Sequence, residues 1–275
     1  MDLGLGQGIY SSNTIGANNG VNNGVINGVF NGVFNENLIF DNIVRNGLVL
    51  YMDAGNKKSY GVTNSNINDL SVYSNNGVLT NGPTWNSLNK GSIVFDGTDD
   101  FILGPSSNSL NFGTENFTIN VWFRTTTVAR RTILSRFDFN GLGTIERGYY
   151  IDVQSNGRLR AAFETSGLNY RLADSTTAVN TNRYFFASFV RSNATTANMY
   201  VNGVLEGTNT FTLGTTANVD AVTAPFSIGR RADYQTPATQ NFYIGNIAVV
   251  QMYNRALSQT EILQNFIAQR PRFNL

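Results

Sequence analysis

Short β-prone runs follow one another along most of this chain with turn-formers at close spacing, which points to a β-sandwich rather than an α/β fold. Residues 47–53 (GLVLYMD) read as a first strand, and a turn-rich stretch follows around 69–79. Residues 92–102 (SIVFDGTDDFI) hold two short strands around an acidic loop. Residues 117–124 (FTINVWFR) alternate, with Phe117, Ile119, Val121 and Phe123 on one face. Further strands fit Thr132–Arg136, Tyr149–Val153, Arg158–Glu164 and Asn169–Asp174. In the last third, 183–191 (RYFFASFVR), 198–206 (NMYVNGVLE), 226–230 (FSIGR) and 243–258 (YIGNIAVVQMYNRALS) follow in order.

Local signals sharpen this reading. Asn202-Gly203 lies between two β-prone arms, and both residues of such a tight turn must reach positive φ, so a hairpin is expected. Ser155-Asn156-Gly157-Arg158 predicts the same kind of turn between Tyr149–Val153 and Leu159–Phe163. Ser258 with Glu261 three residues later makes a capping box for a helix that ends before Pro271. Ile262, Leu263, Phe266 and Ile267 are expected to form its single apolar stripe.

The 275 residues can hold one large sandwich plus an appendage, or two small domains. Hydrophobic residues make up 41% of the chain, enough for a core, while charged residues make up 13% and the net charge is +1. That balance carries no electrostatic footprint for nucleic acid or an anionic membrane. About one residue in seven is Asn, which suits turns. The chain has no Cys and no His. Disulfides, zinc fingers, Ser-His-Asp and Cys-His centres are therefore excluded. No basic segment followed by an apolar one opens the chain, so no secretory leader is expected, and no apolar run is long enough to span a bilayer.

The chain divides near residue 46 into a Gly/Asn-rich arm (1–46) and a sandwich (47–275). Within the arm runs a four-residue repeat, VNNG, VING, VFNG and VFNE from Val21 to Glu36, carrying Val21, Val25, Ile26, Val29, Phe30, Val33 and Phe34. A period of four fits neither a strand nor an amphipathic helix with a Gly in every turn. Alone, the segment cannot bury enough surface to offset its ordering entropy. It is either a low-complexity tail or an arm that orders against a neighbouring subunit, and regularly placed Val, Ile and Phe favour the arm.

On these residues the chain resembles laminin-G-like and pentraxin-like domains of the concanavalin A-like lectin/glucanase superfamily. The order of 95–101 (FDGTDDF), 117–122 (FTINVW) and the later hairpins carries the likeness across roughly 47–268. It implies a concanavalin A-like jelly-roll sandwich, a binding and display scaffold, with a short C-terminal helix packed on the sandwich edge. The opening 50–60 (LYMDAGNKKSY), with 81–84 (NGPT), is similar to sandwich domains in structural proteins of tailed bacteriophages. That likeness implies a virion component on the particle exterior. Its partners would be other capsid or tail proteins, engaged through residues 1–46. A carbohydrate-binding module attached to host glycans is the alternative, and a homo-oligomeric fibre of wound repeats a third.

Three constellations could carry chemistry. Asp96, Asp99 and Asp100 cluster on a turn and could ligate Ca²⁺, or simply be solvated. The loop pair that carries Ca²⁺ in pentraxins corresponds to Asp138 and Asn140 with Asp233. There Arg230 and Arg231 would repel a dication; they make surface salt bridges or, with Tyr234, Phe137 and Phe139, touch an acidic glycan. Glucanase relatives place two acids at alternate positions of one strand. Here no strand shows that spacing, and Glu146, Asp152 and Glu164 each stand alone, so no catalytic residue and no enzyme activity are expected.

Overall fold

A computed structural model of the chain describes residues 42–62, 65–139, 146–165, 169–193, 195–210, 218–220, 224–231 and 241–275. The chain falls into two units, Met1–Asn35 and Glu36–Leu275. The tetrapeptide repeat, with all seven arm residues named above, lies outside the described residues.

Along the second unit run β1 (Leu48–Asp53), β2 (Asn66–Ile67), β3 (Gly77–Thr80), β4 (Thr84–Asn86), β5 (Ser92–Asp96), β6 (Phe101–Leu103), β7 (Phe117–Arg124) and β8 (Arg131–Phe139). They are followed by β9 (Glu146–Val153), β10 (Arg158–Thr165), β11 (Asn169–Ala178), β12 (Phe185–Asn193), β13 (Thr196–Val201), β14 (Val204–Thr210), β15 (Ser227–Ile228) and β16 (Ile244–Tyr253). Helix α1 (Gln259–Gln269) and a 3₁₀ turn (Arg270–Phe273) close the chain. Among the described residues the strands form two antiparallel sheets of eight. The first has the order β14-β13-β12-β7-β16-β5-β4, with β1 also pairing β16. The second has the order β11-β10-β9-β8-β15-β6-β3-β2. This is the all-β sandwich expected, and no described helix is long and apolar enough to cross a membrane.

Alternation along β7 places Phe117, Ile119, Val121 and Phe123 in the core between the sheets, as their spacing predicts. The opposite face is buried as well. Trp122 is fully buried in a second apolar cluster with Tyr51, Phe186, Tyr253 and Phe266. Its indole stacks on Phe273 at 4.2 Å and on Phe266 at 5.7 Å, and its N–H donates to Gln269 Oε1 at 2.8 Å. Helix α1 therefore lies over the outer face of the first sheet and reaches its edge hairpin, where Gln259 Nε2 donates to Gly203 O at 3.1 Å.

The capping box forms as predicted: Ser258 Oγ accepts from Glu261 N, while Glu261 Oε2 accepts from Ser258 N at 2.9 Å. The stripe is rotated from the expected one. Ile262, Asn265, Phe266 and Gln269 are buried, whereas Leu263 and Ile267 are 40% and 47% exposed. Asn265 draws the helix round, because it accepts from Val44 N at 2.8 Å and donates to the Tyr253 hydroxyl at 3.1 Å. That hydroxyl in turn donates to Val44 O. Ile43 and Val44 are consequently buried beneath the helix.

The two turns also differ from each other. Asn202 and Gly203 have φ of 51° and 80°, the positive pair a two-residue hairpin needs. At 154–158 only Gly157 is left-handed, at φ 77°. Gly157 N donates to Gln154 O, and Asn156 Oδ1 takes the N–H of Arg158. With its side chain already closing the turn, Asn156 needs no positive φ.

Two measurements check this account. Trp122→Ala should cost about 3–5 kcal/mol in a urea titration, because it empties the centre of the outer cluster. Arg255 donates to both Glu261 oxygens, and these bonds hold the carboxyl down at about 2, against an ordinary 4.5. A lowered folded-state pKa gives stability that is complete above the unfolded value and is lost as pH falls toward 2. Glu261→Gln should flatten that loss when urea midpoints are compared between pH 5 and pH 2.

Candidate functional site

The loop from β5 to β6 can turn because Gly97 sits at φ 81°, where a Cβ would come 2.8 Å from Ile244 Cβ. Asp96 Oδ1 accepts from Thr98 N at 2.7 Å, and Asp100 Oδ2 accepts from Asp96 N at 3.0 Å. The structure thus brings Asp96, Asp99 and Asp100 together, each with an oxygen within 4.8 Å of the others. Asp96 and Asp99 are exposed and Asp100 is buried. Desolvation raises the Asp100 pKa, and the two neighbouring carboxylates push it further.

Oxygens on opposite sides of a bound Ca²⁺ are about 4.8 Å apart, so the spacing suits the ion. The three side chains supply at most six oxygens, and backbone carbonyls or water would have to complete a shell of about six to eight, so weak binding is expected. Arg131 also donates to Gly97 O at 3.2 Å, which brings a guanidinium to the same loop.

Of the second predicted constellation, Asp138 is on β8 with its side chain outside the described residues, and Asn140, Asp233 and Tyr234 lie outside them too. Of the two arginines, Arg231 does not project toward a ligand and Arg230 is half-buried. Arg231 is only 4% exposed, its guanidinium 4.8 Å from the Phe137 ring centre and 4.5 Å from that of Tyr150. Arg230 lies over Phe101 at 3.5 Å and donates to Ser227 Oγ at 3.2 Å. Pairing of β15 with both β6 and β8 draws 227–231 across the second sheet. Planar guanidinium groups then lie on the rings they cross, where they are weakly hydrated and well packed. Phe137, another expected glycan contact, is buried.

The carboxylates of the strands are engaged internally. Asp152, fully buried, accepts from Arg130 Nε at 2.7 Å and from Thr132 Oγ1 at 2.7 Å. Burial raises its pKa against the pull of Arg130. Glu164 is also buried, on the neighbouring strand. Asp152 pairs with Arg160 whereas Glu164 pairs with Gly148, so the two acids are four residues apart along the ladder, about 13 Å. Asp174 pairs with Arg160 at 2.7 Å, and Glu206 accepts from the backbone N–H groups of Thr176 and Thr177.

One cavity escaped the sequence reading. Arg45, Tyr51, Asp53, Lys57, Lys58, Lys90 and Arg272 are among the residues lining a pocket of about 490 Å³. The adjacent pair Lys57-Lys58 was its only local signal; the other members are scattered over the chain.

The acidic loop should behave as an incomplete cation site. Neither about 1 mM Ca²⁺ nor EDTA should move the melting temperature, and Asp99→Asn, which relieves repulsion, should leave it unchanged or raise it. A Ca²⁺-dependent rise that Asp99→Asn abolishes would overturn that assessment.

A family model of the concanavalin A-like lectin/glucanases superfamily matches residues 96–263. No curated protein matches the chain in sequence. Solved structures share the fold. The Botulinum neurotoxin serotype D binding domain superposes with a TM-score of 0.63 at 15% identity, covering 84% of this chain and 53% of that one. The binding domain of Paraclostridial Mosquitocidal Protein 1 gives 0.61 at 15%, covering 80% and 52%. The serotype D ligand binding domain in complex with N-acetylneuraminic acid gives 0.61 at 16%, covering 81% and 51%. This chain thus spans about half the length of each. With the two-sheet topology and a family match over more than half its residues, the chain belongs to the concanavalin A-like lectin/glucanases superfamily.

Proposed function

We propose that this chain is a non-enzymatic, lectin-like module whose sandwich binds glycans. The comparison carries this reading: the solved structures that share its sandwich are binding domains, and one of them holds N-acetylneuraminic acid. The use made of its carboxylates supports it. Hydrolysis of a glycosidic bond requires two carboxyl groups about 5–9.5 Å apart across a cleft. Asp152 is held by Arg130 and Thr132, Asp174 by Arg160, Glu206 by two backbone N–H groups and Glu261 by Arg255 and Ser258. Asp152 and Glu164 sit too far apart along the ladder for that chemistry.

The tetrapeptide repeat favours a second role alongside the first. An arm whose Val, Ile and Phe recur every four residues fits a segment that lies in the grooves of a partner and fastens the sandwich to a larger particle. In this reading the module is displayed on a virion, and weak glycan contacts gain strength from many copies.

Both parts can be tested with the full chain and with Glu36–Leu275, which keeps Ile43 and Val44 beneath the helix. A glycan array should return the same ligands for both forms, with no cleavage product. Only the full chain should co-purify with particles. An array blank for both forms sinks the lectin reading, and equal retention of both forms on particles sinks the anchoring role of the arm.

A further inference from the structure

The cavity beside β1 has a lining that composition does not account for. Five of the chain's 19 Lys and Arg residues meet there (Arg45, Lys57, Lys58, Lys90 and Arg272), with one of its 18 Asp and Glu residues, Asp53. That carboxylate is already engaged. Asp53 Oδ1 accepts from Arg272 at 2.6 Å and from Gly55 N at 2.8 Å, and the Tyr51 hydroxyl lies 3.4 Å from Oδ2. Arg45, Lys57, Lys58 and Lys90 are exposed, so the wall presents a concentrated positive field to solvent.

The wall is also built rather than incidental. Buried Arg272 is pinned by Asp53 and by the carbonyls of Asn89 and Gly91. Gly55 admits this approach, since a Cβ there would come 2.5 Å from the Arg272 guanidinium and 2.7 Å from Lys90 O. The backbone of Lys58 is held on both sides, its N–H donating to Asn56 Oδ1 and its carbonyl accepting from Asn68 Nδ2. Asn89, Lys90 and Gly91 follow one another at φ of 53°, 63° and 128°. A lysine in the left-handed region costs about 1 kcal/mol or more, a strain that tends to collect where a side chain must be aimed. Tyr51 and Leu70 add an apolar flank, and the volume falls within the range of small-molecule pockets.

We propose that this cavity binds an anionic group, a carboxylate or sulfate, borne by a saccharide. The anion half stands on the lining alone, and the saccharide half rests on the lectin reading above. Arg272 and the held turn form a fixed floor, while Lys57 and Lys58 close on the anion from the rim with charge-assisted hydrogen bonds.

The test is calorimetric titration of the full chain with 3′-sialyllactose, a sulfated heparin disaccharide, lactose and inorganic sulfate. It is run for wild type and for Lys57→Gln/Lys58→Gln, whose exposed positions leave the fold intact. A charged saccharide should bind at least about tenfold tighter than lactose, and the double variant should lose at least about tenfold, the loss that removal of even one of its two charge-assisted bonds predicts. Raising NaCl from about 0.05 to 0.5 M should weaken wild-type binding of the charged saccharide more than that of the variant. Charged and neutral saccharides binding alike, or charged ones unaffected by the double substitution, would overturn the anion site while leaving the lectin reading standing. Lysine-dependent binding of sulfate without any saccharide would overturn the saccharide assignment and the lectin reading with it. No binding of any probe overturns both.

Discussion

The closure of α1 and its 3₁₀ extension over Trp122 is the contact on which the rest of this sandwich depends. Strand β7 lies in the middle of the first sheet, and every position but its last is buried. A sheet apolar on both faces needs a second cover, and the core between the sheets supplies only one. Phe266 and Phe273 provide the other by stacking on the indole. Once Phe273 is docked there, its neighbour Arg272 is delivered to Asp53, Asn89 and Gly91. The cationic cavity is thus assembled by the same closure that completes the core, joining residues from positions 45 to 272.

A chain with few charges uses most of them internally. Arg136, Arg191, Arg231 and Arg272 are all buried, and the last three lie against aromatic rings. An ion pair of this kind costs desolvation, and its members are kept where geometry makes several hydrogen bonds at once. Asp152 and Asp53 follow the same rule. Charge left facing solvent therefore stands out, and the described residues concentrate it in the acidic β5–β6 loop and the basic wall beside β1. The first would need backbone or water oxygens to complete a cation shell. The second has a floor, a rim and room for a small ligand.

Membership of the superfamily settles the scaffold and leaves function to the sites grafted on it. A pair of strand acids facing a cleft would have argued for hydrolysis. Instead, the strand carboxylates named here hold other parts of the molecule together, and the features left over suit recognition. Under the proposed function the N-terminal repeat would supply the attachment, since a segment unable to build its own core can gain order by lying on another surface.

Legibility from sequence followed the range of the interaction. The alternation in β7, the Asn202-Gly203 hairpin and the Ser258–Glu261 cap each depend on residues within a few positions of one another, and all three could be read directly. Ser155–Arg158 does join β9 to β10 as a hairpin turn, but with one left-handed residue instead of two, because a hydrogen bond from Arg158 N to Asn156 Oδ1 changed what its backbone needed. The helix stripe was misread by one column because Asn265 finds its partners in Val44 and Tyr253. Likewise, nothing local to Arg230-Arg231 announces Phe101, Phe137 and Tyr150. By itself the sequence determined the elements, their order and the all-β class, because propensity, turn chemistry and capping act over a single turn or strand. Only the tertiary structure decided that both faces of the first sheet are covered, which arginines are buried, and that five distant cations meet around one cavity. Those outcomes are set by contacts between segments as much as 221 residues apart, which no local pattern encodes.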